Sequence, residues 1–291
     1  CVFFISVIAF TSIYCISKSH ERVFYRSVAS NLSYSASEIH SDLQEVDELA
    51  DMILSNNTVQ NQLPAALDTD SRSVRQTMET TVYNVLTNYM FNTANQHISY
   101  ITILQDDSTI STHLVRFRNV PPEIQEDLIS KGNAAEGSTI WVTDYSQDYG
   151  LFLVKELREA KDFSFRHIGT LIINVNPYTL IGQTSIFHSA YDSPSFLLLE
   201  NGQAIYSSDA LPQKDIEELT SSLGEDYTIT EVNDQAFFAV RGYIRDYGWD
   251  YIAMVSYESV SRTVSFTSGV CIAAIILSVC TVLLLSSRIL T

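Results

Sequence analysis

Two uncharged, apolar segments, one at each end of the chain, constrain its fold more than any other feature. Residues 1–17 and 264–287 contain no charged side chain, and the second segment is almost wholly aliphatic from Val270 to Leu285. A helix of about 20 such residues crosses a hydrocarbon core of roughly 30 Å. We therefore expect two transmembrane helices, 1–17 and 264–287, with the long stretch between them on one side of the membrane.

The stretch between the two apolar segments is strongly acidic. It holds all 34 acidic residues of the chain and every basic residue except Arg288. Such a surface disfavours nucleic acid and anionic lipid, since both need a basic face. Long loops are translocated largely regardless of their charge. We therefore expect a multi-pass protein of the cell membrane in which residues 18–262 are extracytoplasmic.

The four cysteines, Cys1, Cys15, Cys271 and Cys280, all lie in the apolar ends. The acidic stretch therefore has no disulfide framework, no zinc-cysteine cluster and no thiol nucleophile. An exported domain without disulfides is more typical of a bacterium than of a eukaryotic secretory pathway. No small-x-small cleavage site follows the first apolar segment, so we predict that this segment is retained as a membrane anchor.

Residues 18–92 show the periodicity of two helices. A first helix is predicted from Lys18 to about Ser55, with an apolar stripe at spacings of three and four. The stripe consists of Ala36, Ile39, Leu43, Val46, Ala50 and Ile53. At about 55 Å, this helix either packs on its own domain or is a stalk that also meets a partner subunit. A second helix is predicted from Ser71 to about Asn92, and Asn57–Thr69, which contains Pro64, is predicted to be a loop.

Beyond residue 92 one arrangement is predicted twice, namely a hairpin, a helix and a meander of three strands. The first copy has strands His97–Leu104, Thr109–Phe117, Thr139–Thr143, Leu151–Glu156 and His167–Val175, with a helix from Pro122 to Gly132. The second has strands Ser195–Glu200, Gln203–Ser207, Asp226–Val232, Gln235–Ile244 and Trp249–Ser256, with a helix from Pro212 to Leu223. Asn201-Gly202 is a strong hairpin signal, and Pro177–His188 is predicted to be a linking helix. The pattern indicates an α+β fold with two five-stranded antiparallel sheets.

Several short segments carry a family resemblance. They are Ala50–Leu63, Trp141, Arg158, Ile168–Val175, Phe196–Ser207 and Gly248-Trp249. In this order they resemble the double Cache sensors, which are paired PAS-like domains on one long N-terminal helix, and most of all the sensor region of YesM-like bacterial sensor histidine kinases. The resemblance implies a membrane-distal Cache domain at 93–188 and a membrane-proximal one at 189–258, with 288–291 as the start of a HAMP-like linker.

The resemblance also implies a function. It implies a homodimer that binds a small extracellular ligand and passes the signal through the second membrane helix to a kinase that acts on a response regulator. The chain has no phosphoacceptor His box and no ATP-binding boxes, so any kinase activity belongs to a longer product. The alternatives are the same sensor on a chemoreceptor, a diguanylate cyclase or a membrane-bound AraC-type regulator, or a membrane-anchored binding protein without signalling output.

In double Cache proteins the membrane-distal domain usually binds the signal, between its sheet and the loops that precede the meander. By position, the resemblance implies a ligand-binding set of Tyr100, Arg116, Trp141, Asp144, Tyr145, Lys155 and Arg158. An aromatic plate with Arg and Asp suits a small polar or zwitterionic ligand. Alternatively, Trp141 anchors the core, and Arg116 and Arg158 lie on the solvated surface. Thr143–Asp148 resembles part of the amino-acid-binding motif of the class, but its Arg-x-Trp-Tyr element is missing, so an amino-acid ligand is not supported.

The sequence predicts no catalytic or metal-binding set. The six histidines show no spacing of four residues that would place two of them on one helix face. There is no Gly-x-Ser-x-Gly elbow, no phosphate-binding Walker loop and no cysteine nucleophile in the acidic stretch. We therefore predict neither catalytic residues nor a metal site, and no cofactor.

Overall fold

The computed structural model describes residues 34–92, 96–160, 165–182, 195–208, 211–223, 227–232 and 235–258, together with single residues towards either end. The predicted transmembrane segments, 1–17 and 264–287, and the predicted linker 288–291 lie outside these ranges. Among the residues that the structure describes, no helix combines the length and the apolar character that crossing a bilayer requires. The described residues form two compact units: the first unit, within residues 37–184, and the second unit, from those before 37 and after 184.

Three helices precede the sheet of the first unit. They are α1 (residues 34–55, of which 37–55 belong to the first unit), α2 (Asn57–Leu67) and α3 (Arg72–Asn92). The predicted apolar stripe of α1 is confirmed, because every member from Ile39 to Ile53 is at most 1% exposed. Residues three and four apart share one side of a helix, so the stripe faces inward, while Glu45 and Glu48 on other sides of α1 are exposed.

The prediction of a loop at Asn57–Thr69 is wrong, since most of this segment forms helix α2. The side chain of Asn56 caps the helix by accepting hydrogen bonds from the backbone N–H groups of Thr58 and Val59. Pro64 lies inside the helix, where it lacks one backbone hydrogen-bond donor. The cap and the complete burial of Val59 and Leu63 offset that loss.

The rest of the first unit is one sheet with short helices. Its elements are β1 (Ile98–Gln105), β2 (Ser108–Ser111), α4 (Leu114–Arg118), α5 (Pro122–Ala134), β3 (Thr139–Val142), α6 (Ser146–Tyr149), β4 (Leu151–Arg158), β5 (His167–Val175) and α7 (Pro177–Gly182). The strands pair in the order β2-β1-β5-β4-β3, and every pair is antiparallel. The remainder of the predicted linking helix, after Gly182, lies outside the described residues.

The predicted second strand, Thr109–Phe117, is too long. Strand β2 ends at Ser111, and helix α4 begins at Leu114. The imidazole Nδ1 of His113 caps α4 by accepting a hydrogen bond from the backbone N–H of Arg116 at 3.3 Å. Because the chain turns into a helix here, Phe117 is buried by packing against the sheet rather than by extending it.

The second unit repeats the arrangement. Its elements are β6 (Ser195–Glu200), β7 (Gln203–Ser207), α8 (Gln213–Ser222), β8 (Thr228–Val232), β9 (Gln235–Ile244) and β10 (Trp249–Ser256), and the strand order is β7-β6-β10-β9-β8. Asn201 and Gly202 both have positive φ, as the tight hairpin turn between β6 and β7 requires. The predicted α+β fold with two antiparallel five-stranded sheets is therefore confirmed.

Candidate ligand-binding site

The two faces of the first sheet have different partners. Successive side chains of a strand point to opposite faces, so Phe152 and Val154 of β4 lie on one face while Leu153 and Lys155 lie on the other. The face that carries Phe152 and Val154 is covered by helix α5 and is called the α5 face. Its apolar cluster consists of Tyr100, Leu104, Phe117, Val120, Leu128, Val142, Phe152, Val154 and Ile172. The opposite face, the α1 face, is hydrogen-bonded to helix α1.

Trp141 and Lys155 lie on the α1 face. The indole N–H of Trp141 donates to the carboxylate of Asp47 at 3.2 Å. The ammonium of Lys155 donates to the carboxylate of Asp51 at 2.5 Å and to the hydroxyl of Thr139 at 3.0 Å. Both side chains therefore hold helix α1 against the sheet, which is the anchoring role that the sequence left open for Trp141.

Tyr100 lies on the α5 face and is only 3% exposed. Its ring meets Phe117 edge-on, with the centroids 6.1 Å apart. Its hydroxyl is buried and has no hydrogen-bond partner among the described residues. Burial raises the pKa of Tyr100 well above its usual value, and the nearby guanidinium of Arg116 opposes that rise. A buried hydroxyl without a partner loses the hydrogen bonds that water would supply, so it costs stability in the absence of a further hydrogen-bonding group.

Asp144 and Tyr145 belong to a polar network at the edge of the α5 face. The ammonium of Lys131, on helix α5, lies 2.7 Å from the carboxylate of Asp127 and 2.6 Å from that of Asp144. The hydroxyl of Tyr145 donates to Asp127 at 3.0 Å, and the ammonium of Lys131 lies 5.6 Å from the centre of the Tyr145 ring. Tyr145 also packs against the apolar cluster that contains Tyr100.

The charges of this network shift one another's pKa values. The hydrogen bond from Lys131 lowers the pKa of Asp127. Burial alone would lower the pKa of Lys131, but its hydrogen bonds to Asp127 and Asp144 outweigh burial and raise it. Burial, together with the hydrogen bond to Asp127, raises the pKa of Tyr145. At neutral pH the network therefore presents the ammonium of Lys131 beside the carboxylate of Asp127 and the neutral phenol of Tyr145.

Arg158, the last residue of β4, lies apart from the other predicted residues. Its guanidinium Nε and Nη2 lie 2.8 and 2.7 Å from one carboxylate oxygen of Glu156. The structure therefore does not bring the seven predicted residues into one site. Tyr100, Arg116, Asp144 and Tyr145 share the α5 face, Trp141 and Lys155 hold α1, and Arg158 lines a separate cavity.

Two residues of this network, Asp127 and Lys131, are absent from the ligand-binding set predicted from the sequence. They are four residues apart within the predicted helix after Pro122, and this spacing places two side chains on the same helix face. The pair was therefore detectable as an ion pair, but its proximity to Asp144 and Tyr145 depends on how helix α5 packs against the sheet. Within the described ranges, no group of three or more His, Cys, Asp or Glu side chains is arranged to hold a metal ion.

The chain is similar in sequence to a bacterial sensor histidine kinase. No protein-family model matches the chain. The sensor histidine kinase YesM of Bacillus subtilis is 19% identical to it over 275 residues, which cover 93% of this chain and 46% of the kinase. The chain therefore spans about half the length of the curated relative it matches.

Solved sensory domains share the fold. The ligand-binding domain of the Campylobacter jejuni chemoreceptor Tlp3, in complex with 4-methylisoleucine, has a TM-score of 0.54 at 8% identity, and the match covers 83% of this chain and 94% of that domain. The extracellular domain of vpHK1S-Z8, described as a histidine kinase, has a TM-score of 0.52 at 11% identity, with 84% and 96% covered. A domain of a sensory box/GGDEF family protein from Vibrio parahaemolyticus has a TM-score of 0.50 at 10% identity, with 83% and 99% covered.

These matches join a sequence likeness to a fold likeness over most of the chain. The predicted resemblance to the double Cache sensor region of YesM-like sensor histidine kinases is therefore confirmed.

Proposed function

We propose that this chain is the ligand-sensing and transmembrane region of a bacterial sensor histidine kinase of a two-component system. The single observation that supports this most is the repeated sheet order, β2-β1-β5-β4-β3 and β7-β6-β10-β9-β8, in a chain that matches YesM over 93% of its length. In this proposal residues 18–262 are extracytoplasmic, between membrane helices at 1–17 and 264–287. The kinase would act on a response regulator.

The α5 face of the first sheet is the proposed ligand-binding site. The buried hydroxyl of Tyr100 lies within electrostatic reach of the exposed guanidinium of Arg116. Lys131, Asp144 and Tyr145 add cationic, anionic and aromatic groups at the edge of the same face. The carboxylate of a polar ligand would accept hydrogen bonds from Tyr100 and Arg116, and the other end of the ligand would contact Lys131, Asp144 and Tyr145.

The ligand class is a small polar or zwitterionic molecule. The Tlp3 domain was solved with 4-methylisoleucine bound, which makes amino-acid derivatives reasonable probes for this chain. The missing Arg-x-Trp-Tyr element weighs against an ordinary amino acid. A screen should therefore include carboxylates, peptides and sugars beside the amino acids.

Signalling would follow from a shift in the equilibrium between two receptor states. A ligand that binds one state more tightly changes the population of that state, and the output state must in turn change ligand affinity. In the second unit, strand β10 ends at Ser256, eight residues before the proposed second membrane helix begins at 264. The chain after β10 is therefore the proposed path of the signal, in a homodimer.

A different output on the same sensor is the second candidate. Solved domains of a chemoreceptor and of a sensory box/GGDEF family protein share this fold at TM-scores of 0.54 and 0.50. The coding sequence beyond Thr291 distinguishes these outputs by a phosphoacceptor His box, a methyl-accepting hairpin, a GGDEF motif or a helix-turn-helix. A reading frame with no cytoplasmic domain would instead favour a membrane-anchored binding protein.

A ligand screen on the full chain in lipid nanodiscs tests the proposed site. We expect one class of carboxylate-bearing ligand to raise the thermal unfolding midpoint, and Tyr100→Phe and Arg116→Ala to abolish that rise. The matched controls are Tyr83→Phe and Arg118→Ala, which change exposed residues of the same type. Stabilisation that survives in both test variants would remove the α5 face as the ligand site.

Protease treatment of whole cells tests the topology. The proposal predicts that the acidic stretch is digested from outside while the cell membrane is intact. Protection of this stretch in intact cells, with digestion only after lysis, would contradict an extracytoplasmic sensor.

A further inference from the structure

A cavity of about 660 Å³ lies within the first unit, between the end of α1, the start of α2 and the far end of β4. Its walls include Leu54, Asn57, Gln60, Asn61, Arg158 and Phe165. None of the four predicted residues on the α5 face lines it. The volume falls within the roughly 300–1,000 Å³ typical of small-molecule sites, so the cavity is large enough for a ligand of one or two rings.

Gln60 makes one wall of the cavity rigid. Its amide nitrogen donates to the backbone carbonyls of Leu54, at 2.8 Å, and Arg158, at 3.2 Å. Its amide oxygen accepts from the backbone N–H of Ala160 at 2.9 Å. One side chain therefore joins the end of α1, helix α2 and the end of β4, and the cavity is framed by hydrogen bonds before any ligand enters.

The carboxylates that line the cavity are already paired. Glu156, which is 7% exposed, binds Arg158 through one oxygen and faces the imidazole Nδ1 of His167 at 3.2 Å through the other. Glu159 lies 3.4 Å from the guanidinium of Arg166. Because each carboxylate has a cationic or hydrogen-bonding partner, the cavity has no uncompensated charge with which to select an ion.

Two side-chain amides are available to a ligand. Asn57 and Asn61 are exposed, line the cavity and are four residues apart on helix α2, so they share one face of that helix. Neither side chain has a hydrogen-bond partner among the described residues. An amide both donates and accepts, and this is the pattern that matches a hydroxyl group, which does the same.

An aromatic ring completes the wall. Phe165 is 61% exposed, although a phenylalanine gains by burying its ring. Its backbone N–H donates to the carbonyl of Glu159 at 3.1 Å, which fixes the residue beside the cavity. An exposed ring next to unpartnered amides offers an apolar plate to the C–H face of a ligand whose rim carries hydroxyl groups.

We propose that this cavity binds an uncharged, hydroxyl-rich ligand, namely a mono- or disaccharide. Asn57 and Asn61 hydrogen-bond its hydroxyl groups, the free N–H groups of Arg158 donate to a ring or hydroxyl oxygen, and Phe165 packs on its apolar face. The occupant contacts Leu54 and Ser55 at the end of α1. This site is additional to the proposed site on the α5 face and does not depend on it.

Saturation-transfer NMR on the full chain in lipid nanodiscs tests the proposal. The sample must contain no glycolipid and no maltoside detergent, because their sugar headgroups would compete with the saccharide probes. The probes are glucose, galactose, xylose, maltose and cellobiose. We expect at least one to bind, and Phe165→Ala to weaken that binding by about tenfold, as the loss of an aromatic contact implies. Asn61→Ala should weaken it to a similar extent.

Matched variants separate the possible outcomes. Phe91→Ala and Asn84→Ala change an exposed Phe and an exposed helical Asn elsewhere, and both should leave saccharide binding unchanged. Arg116→Ala should also leave it unchanged, because Arg116 belongs to the α5 face. Absence of binding by all five sugars would overturn the proposal, as would loss in Arg116→Ala or retention in both Phe165→Ala and Asn61→Ala. Loss in Arg116→Ala would place the saccharide on the α5 face, whereas the other results leave the test of that face unaffected.

Discussion

The ammonium of Lys155 on β4 lies 2.5 Å from the carboxylate of Asp51 on α1, 104 residues earlier in the chain. The Lys155 side chain is only 9% exposed, whereas that of Asp51 is 68% exposed. One helical turn before Asp51, Asp47 accepts the hydrogen bond from Trp141. Two carboxylates of one helix therefore bind two neighbouring strands, β3 and β4, and fix the helix on the α1 face.

Removal of the Asp51 carboxylate should destabilise the chain. In Asp51→Ala the buried ammonium of Lys155 keeps only the hydroxyl of Thr139 as a partner, and an uncompensated buried charge is costly. Because Asp51 itself is mostly exposed, we expect a loss of about 1–2 kcal/mol in the free energy of unfolding. Urea unfolding of the full chain in nanodiscs, followed by circular dichroism, measures this loss.

The double variant Asp51→Ala/Lys155→Met provides the control. Methionine keeps the apolar stem of Lys155 but carries no charge, so the double variant should recover most of the stability lost in Asp51→Ala. An equal loss in the single and double variants would show that the unpaired charge of Lys155 is not the cause of the loss in Asp51→Ala.

Tyr100→Phe should stabilise the protein in the absence of ligand. The substitution removes a buried hydroxyl that has no partner among the described residues and keeps the ring against Phe117. We expect a gain of up to about 1 kcal/mol in the free energy of unfolding, measured by urea unfolding. A clear loss of stability would mean that the hydroxyl makes a favourable hydrogen bond in the folded state.

The stability should also depend on pH through Glu38 on α1. Burial and the negative charge of Asp42 raise the pKa of Glu38 above its ordinary 4.5, and His97 opposes them. Protonated Glu38 therefore favours the folded state fully below about pH 4.5, and this contribution is lost as the pH rises through the folded-state pKa. Glu38→Gln should stabilise the chain at pH 7, by less than about 1 kcal/mol.

The gain in stability from Glu38→Gln should vanish below about pH 4.5, where the protonated Glu38 of the unchanged protein and the glutamine that replaces it in the variant are both neutral. Thermal unfolding of the two proteins at several pH values measures the difference. Glu45→Gln, on the exposed side of the same helix, serves as the control and should show a smaller effect at pH 7. A pH-independent difference for Glu38→Gln would show that the charge of Glu38 is not its cause.

Gly132 on α5 is required by close packing on the sheet. A Cβ atom at this position would lie 2.8 Å from Cγ1 of Val154 and 3.3 Å from Cγ2 of Thr170. Gly132→Ala gains about 1 kcal/mol in helix propensity, but the clash with two stiff, buried β-branched side chains costs more. We expect a net loss of about 1 kcal/mol in the free energy of unfolding, measured by urea unfolding. Val154→Ala removes the atom that the new Cβ would meet, so the double variant Gly132→Ala/Val154→Ala should lose less than the sum of the two single losses. A loss equal to that sum would show that no clash exists.

The sequence predicted helices, strands and turns better than it predicted which side chains contact one another. The stripe from Ile39 to Ile53 and the turn at Asn201-Gly202 could be predicted, because periodicity and turn chemistry are local properties of the sequence. Asn57–Thr69 was misread because Pro64 is a local helix breaker, while the burial of Val59 and Leu63 that outweighs it is a tertiary effect. The end of β2 was misread because His113 caps a helix through its side chain, a contact without a clear sequence pattern.

The candidate site was predicted only in part, for a related reason. Trp141 and Lys155 differ from Tyr100 and Tyr145 by the face of the sheet on which they lie. A shift of one residue in strand register moves a side chain to the opposite face, so residue type and position in the chain do not decide the face. The cavity depends on Gln60 reaching Arg158, 98 residues further along the chain.

Local patterns read in order were enough to predict the fold class, the repeated order of hairpin, helix and meander, and the resemblance to the YesM-like sensors. Which polar groups meet depends instead on tertiary packing. It placed Asp51 beside Lys155, gathered Lys131, Asp144 and Tyr145 into one network, and left the hydroxyl of Tyr100 buried without a described partner. These outcomes depend on strand register and helix packing, which bring Asp51 to Lys155 across 104 positions of the chain and Lys131 to Asp144 across 13.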